Sequence, residues 1–420
     1  MVKVCDCIMG NGKSSAAITY LNEHKNEKFI YITPYLDEAA RIKENCPELR
    51  FAEPSDKLAE YQFKKSVHTV ALIEAGRNIS TTHQAFRGYT PATLELIRER
   101  GYTLIVDENL DILEKYEIHP DDLQMAVDAG YLREENGSYV MTDKEYHGSL
   151  FHSLFYTLES RELIQVRDKQ DNTFFYWALS PALIMSFKDV FILTYLFDGQ
   201  SLHHMLKIYD IPYERIGIHR DDDGTYRFGS YPGFTPEYVH HLKDMIHILD
   251  NPKMNQIGDE YYALSKNWFE RSDAEVDQLK NNVSNCFRNI WGDIPADERL
   301  WGSYNGAFEK IRGKGYTKSF LTFNAKATNK YRNCCALVYI TNIFMNATER
   351  QFYQSHGIEV DQDLYALSIM CQWVWRSAIR DGREVQLYIP SKRMRTILEN
   401  WINSFNNGGE TDAGRVDSAA

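Results

Sequence analysis

Val2-Lys3-Val4-Cys5-Asp6-Cys7-Ile8-Met9-Gly10-Asn11-Gly12-Lys13-Ser14-Ser15 opens the chain and decides how the rest is read. Residues 2–8 alternate in polarity and predict a strand. Gly10 and Gly12 supply a turn, and the amphipathic stretch Ala16 to Glu23 predicts a helix directly behind it. Strand, glycine turn and helix N-terminus make the layout of a phosphate-binding loop, whose backbone amides point inward at an anion. In that layout Met9, Gly10, Asn11, Gly12, Lys13, Ser14 and Ser15 wrap a nucleoside triphosphate. Lys13 reaches the β/γ-phosphates and the Ser14 hydroxyl ligates magnesium. Cys7 stands where the longer form of the loop carries its first glycine.

A second stretch gives the loop a partner. Tyr102-Thr103-Leu104-Ile105-Val106 reads as a continuous buried strand and ends in Asp107-Glu108. A carboxylate at such a strand end can hold magnesium beside Ser14, and an adjacent Glu can polarise an attacking water. Asp107 is therefore the second candidate metal ligand. Lys13, Asp107 and Glu108 are candidate catalytic residues for nucleoside triphosphate hydrolysis.

Further landmarks follow in order. Lys28 to Thr33 reads as a strand, with Thr33-Pro34 at its end. Ile79-Ser80-Thr81-Thr82-His83 is a hydroxyl-rich strand end, and Val190 to Leu196 is another apolar strand containing Leu193-Thr194. In the second half, Leu321 to Arg332 includes Lys326, Thr328, Asn329 and Lys330 and precedes the strand Ala336 to Ile340. Near the end stands Gln372-Trp373-Val374-Trp375-Arg376-Ser377-Ala378-Ile379-Arg380, then the strand Val385 to Ile389. Taken together these residues resemble superfamily 2 helicases, in forms closer to viral and phage-type members than to DEAD-box proteins.

The resemblance implies an α/β fold of two RecA-like parallel-sheet lobes, with ATP and Mg2+ between them. It implies nucleic-acid contacts by Thr33, Pro34, Thr81, Thr82, His83, Lys326, Thr328, Asn329 and Lys330, since hydroxyls and amides grip phosphates without reading bases. Gln372, Arg376 and Arg380 would complete the catalytic set. Trp375 replaces a glycine of the family's motif and Arg380 lies one residue late. Arg376 and Arg380 are four residues apart, one turn of a continuous helix, so either can be the arginine finger.

The strand and helix rhythm puts the first lobe at 1–200 and the second at 201–400, with Ile208 to Ile218 as an early strand of the second. Residues 114–178 break the rhythm. There His119-Pro120-Asp121-Asp122 starts a helix, and Glu135-Asn136-Gly137-Ser138 marks a hairpin turn. A small helix-hairpin element inserted in the first lobe is expected. Asp221-Asp222-Asp223-Gly224 reads as a solvated turn, and 406–420 as a disordered tail.

The chain's 47 basic and 59 acidic residues give a net −12 over 420 residues, which opposes whole-surface adhesion to a polyanion or an anionic membrane. A local patch offsets this. Residues 310–333 hold Lys310, Arg312, Lys314, Lys318, Lys326, Lys330 and Arg332 without an acid, interleaved with Tyr316, Phe320, Phe323 and Tyr331. That pattern predicts a strand-binding track with stacking platforms. The seven cysteines do not suggest a disulfide scaffold, and the paired histidines His203/His204 and His240/His241 lack metal-helix spacing. No apolar run approaches a membrane span and the N-terminus lacks signal-peptide architecture, so a cytoplasmic location is expected.

The resulting expectation is an ATP-dependent helicase or translocase acting on single-stranded or forked nucleic acid. DNA is favoured over RNA, and a replication or recombination protein is a candidate partner. A phage terminase-type ATPase and a non-catalytic nucleic-acid-binding regulator are the alternatives.

Overall fold

The computed structural model describes residues 1–34, 36–168, 170–271, 273–325 and 330–405. Lys326, Thr328, Asn329 and the tail 406–420 lie outside the described residues.

Two compact units divide the chain. The first comprises Met1–Phe234 and Asn346–Val360; the second comprises Thr235–Met345 and the residues from Asp361 on. In the first unit, strands β1 (Val2–Asp6), β2 (Lys28–Thr33), β3 (Ile79–Thr82) and β4 (Tyr102–Asp107) come in sequence order. The insertion follows with β5 (Leu113–Tyr116), β6 (Leu132–Glu135), β7 (Ser138–Met141), β8 (Glu162–Arg167) and β9 (Thr173–Ala178). Then come β10 (Asp189–Thr194), β11 (Tyr213–Arg220) and β12 (Tyr226–Ser230). The second unit holds β13 (Ile246–Ile248), β14 (Arg299–Ser303), β15 (Phe320–Thr322), β16 (Ala336–Tyr339) and β17 (Val385–Tyr388).

The α/β reading holds. The first sheet has the order β12-β11-β1-β10-β4-β2-β3, parallel except for the β11–β12 hairpin. Every residue of the central strand β4 is buried, as suits a parallel strand covered on both faces. The second unit's sheet, β13-β17-β16-β14-β15, is parallel throughout. Its core gathers Leu279, Val283, Phe287, Trp301, Ile311 and Tyr388.

Two features differ from the sequence reading. Tyr213–Arg220, expected to begin the second lobe, pairs in parallel with β1 and completes the first sheet. Residues 346–360 also return to the first unit: the helix Ala347–Ser355 sets Phe352 against Ile164, Val166, Tyr176 and Ala178 of the insertion. Tyr176 OH donates to Asn346 Oδ1 at 3.3 Å beside it.

The insertion contains the expected helix, Pro120–Asp128, with the His119 ring accepting from the Asp121 amide. It also contains the expected hairpin, β6–β7, turned by Asn136 (φ 53°) and Gly137 (φ 80°). Strands β5, β8 and β9 extend that hairpin into a five-stranded antiparallel sheet.

Candidate functional site

The loop after β1 sits at the carboxyl edge of the first sheet, where open α/β sheets bind ligands. The Cys7 amide donates to Thr194 O at 3.1 Å, which carries β1 pairing one residue past the strand. Gly10 (φ 79°) and Gly12 (φ 83°) then turn the chain through left-handed conformations that favour glycine. Helix α1 (Lys13–Glu23) starts at Gly12 with no side-chain cap, so its first amides are offered to an anion. Helix α1 buries Ala16, Ala17 and Leu21, which fixes the N-terminus over the strand edge. Lys13 Nζ donates to the loop carbonyls Cys7 O (2.5 Å) and Ile8 O (3.0 Å).

Strand β4 brings Asp107 to the same edge. Ser14 Oγ lies 3.4 Å from Asp107 Oδ2, although 93 residues separate them. Tyr31 OH, from β2, donates to the same oxygen at 2.8 Å. His83 Nε2 bonds the Asp107 carbonyl oxygen at 2.9 Å. Burial, and then the neighbouring Glu108, push the Asp107 carboxyl up to about 6, against the Tyr31 hydroxyl, which stabilises the ionised form. Glu108 follows in a left-handed turn (φ 66°), its amide donating to Leu193 O at 3.0 Å. For a non-glycine residue that conformation is a local strain which re-aims the side chain away from the strand direction.

A hydroxyl and a carboxylate facing each other, with a second carboxylate alongside, form an oxygen set suited to Mg2+, which binds few protein ligands and keeps its waters. Positive charge at that point would also relieve buried Asp107, which Glu108 repels. The residues fit a magnesium–triphosphate ligand.

Other predicted residues share this edge in different roles. Thr33 and Thr82 are register partners on β2 and β3. Thr33 and Thr81 are buried, while Thr82 accepts from the Ala85 amide at 3.3 Å and caps the helix His83–Phe86. His83 is buried and supports the Asp107 backbone. Pro34 is half-buried at the end of β2.

Beneath the loop lies a network the sequence reading missed. Arg215, on β11, binds Asp6 Oδ2 at 2.6 Å and both Asp198 oxygens at 2.6 and 2.7 Å. Burial raises the Asp6 carboxyl and the Arg215 guanidinium opposes that rise. Neither Tyr31 nor Arg215 carried a local signal for its role: Arg215 stands beside Glu214 in a mixed strand, and the carboxylates that the two meet are remote in sequence or on another element.

In the second unit, Gln372 is half-buried in the helix Gln362–Val374, Arg376 is buried and Arg380 is exposed. The helix stops at Val374 and Ser377 is extended (φ −96°, ψ −169°), so Arg376 and Arg380 do not share a helical face as the spacing had suggested. The aromatic residues of 310–333 also depart from expectation. Tyr316 is buried in the core, and its hydroxyl donates to Ile311 O. Phe320 packs on Trp301 at 4.6 Å and Phe323 on Tyr304 at 4.8 Å. Burial closes Tyr316 to stacking, whereas Phe320, Phe323 and Tyr331 are half-buried. Lys310 and Arg332 engage Asp273 and Asp381, whereas Lys330 is exposed over the Tyr331 ring.

The fold and this edge define an α/β protein of two parallel-sheet units, with a glycine loop and an Asp-Glu strand end on the first. The chain belongs to the family of the SPbeta prophage-derived protein YonV of Bacillus subtilis (strain 168). It is 38% identical to that protein over 412 residues, covering 96% of this chain and 99% of the relative. Residues 240–402 match the YonV C-terminal Rossmann-like domain. Solved structures similar in fold include an XPD helicase (10% identity; 95% of this chain and 94% of that one; TM-score 0.45). Another is S. tokodaii Xpd4 (12% identity, 95% and 93% coverage, TM-score 0.43).

Proposed function

We propose that this chain is a magnesium-dependent ATPase that drives a phage-type helicase or translocase along single-stranded or forked nucleic acid. One observation carries the reading: Ser14, at the start of α1, and Asp107, at the end of β4, meet at 3.4 Å beside Lys13. Two stretches chosen from sequence for complementary chemistry converge on one point.

The loop amides and Lys13 bind and orient the triphosphate. To do so, Lys13 exchanges its bonds to Cys7 O and Ile8 O for phosphate oxygens. Ser14 and Asp107 would hold Mg2+, which would supply positive charge to offset the charge developing on the phosphate oxygens. Glu108 orients and deprotonates the attacking water. Thr82, Pro34 and Lys330 are the partly or fully exposed members of the predicted nucleic-acid set and are the first to test as phosphate contacts. Of the second unit's arginines, exposed Arg380 is the better candidate for a charge that reaches substrate.

Steady-state hydrolysis of ATP, with and without single-stranded DNA, tests the reading. Lys13→Ala is expected to lose turnover by at least a hundredfold with an unchanged circular dichroism spectrum. Glu108→Gln is expected to bind ATP normally and to hydrolyse it at least a hundredfold more slowly. Turnover in Lys13→Ala equal to that of the unmodified chain rejects the ATPase, and DNA cleavage in place of stimulation favours a terminase.

A further inference from the structure

The wall on the other side of the loop has no role in the chemistry above. In the first sheet, Asp107 lies on the β10–β4 side of β1, whereas β11 and β12 lie on the opposite side. On the proposed reading, Ser14 and Asp107 fix the γ end of a triphosphate toward β4. A nucleotide whose phosphates wrap the loop from that end must direct its ribose and base toward β11.

The segment that follows β12 stands there. Gly233 bridges to Ile218 of β11, and the Phe234 amide donates to Ile218 O at 2.5 Å. Phe234 O in turn accepts from Asn11 Nδ2, inside the glycine loop, at 2.8 Å. Residues 231–234 are thus pinned to the sheet and to the loop. They carry Tyr231, which is 45% exposed. Its ring lies 5.8 Å from the Arg215 guanidinium, which is itself held by Asp6 at the base of the loop. Asn11 is 3% exposed, and its Oδ1 has no hydrogen-bond partner among the described residues. A ribose hydroxyl is a donor of the kind that oxygen lacks, and phosphate oxygens are not.

We propose that Tyr231 is the base-binding residue of this site, stacking the purine of the nucleotide on its exposed face while the loop holds the phosphates. The backbone that carries the ring is tied to the sheet and to the loop before ligand arrives, which limits the ordering lost on binding. Recognition by a ring face reads stacking area and not base edges, which favours a purine over a bare polyphosphate. The inference rests on the phosphate-loop reading but fails separately from it.

Calorimetry of the full chain with Mg2+ measures two probes, the non-hydrolysable ATP analogue AMP-PNP and inorganic tripolyphosphate. Tyr231→Ala is expected to weaken AMP-PNP about tenfold or more and to leave tripolyphosphate unchanged, with Tyr231→Trp restoring AMP-PNP. Unchanged AMP-PNP affinity in Tyr231→Ala overturns the assignment. So does an equal loss for both probes, which marks a structural role. Tripolyphosphate binding that survives Lys13→Ala removes the phosphate loop itself, and an unmodified chain that binds neither probe removes both readings.

Discussion

A carboxylate buried beside a second carboxylate, as Asp107 is beside Glu108, ionises against both desolvation and repulsion. Its pKa of about 6, against about 4 for an exposed aspartate, has a definite consequence for stability. Between those values the unfolded chain has released the proton and the folded chain has kept it. Stability contributed by the protonated form is therefore full below pH 4 and falls as pH rises to 6, by roughly 3 kcal/mol. Asp107→Asn removes that ionisation. It is expected to raise the melting temperature of the metal-free protein at pH 7 but not at pH 4, while abolishing ATP turnover. A variant less stable than the parent at pH 7 would contradict this. The places of Lys13 at a helix start and Asp107 at a strand end were legible in the sequence, because each sits in a local pattern of turn or apolar residues. The role of Tyr31 was not: its partner oxygen is 76 residues away, and nothing near residue 31 specifies it.

At the scale of elements, α1 begins on a glycine and without a side-chain cap, which leaves its first amides open to a ligand. The left-handed Gly12 is also closely covered by the Tyr226 ring from β12, which would meet any Cβ placed there. Gly12→Ala is therefore strained twice, by backbone and by contact. It is expected to cost about 1–3 kcal/mol in chemical denaturation and to lower phosphate affinity at least tenfold. Wild-type values for both would mean that the loop does not hold this conformation in solution. The glycine pattern announced the turn, but the identity of the residue covering it came only from the β11–β12 hairpin. The opposite error occurred at Arg376 and Arg380, where spacing alone suggested one helical face. The helix ends at Val374, and an extended Ser377 puts one arginine inside and the other outside.

At the scale of the whole molecule, the chain crosses between its units more often than its sequence suggests. It leaves the first after Phe234, returns at Asn346 and leaves again after Val360. The returning helix rests on Phe352 against the insertion sheet. Phe352→Ala is expected to cost roughly 2 kcal/mol, less than a fully buried phenylalanine, and to speed amide exchange in β8 and β9. Exchange unchanged in those strands would show that the helix is not what protects them.

Fold class, the glycine loop, the Asp-Glu strand end and the insertion's helix and hairpin were determined by sequence alone. They depend on periodicity, turn residues and capping within a few neighbouring positions. Which sheet received Tyr213–Arg220, which unit received 346–360, and which rings became core were decided only by the tertiary structure. Strand order and burial are settled by contacts between residues far apart in the chain, and no local pattern encodes them.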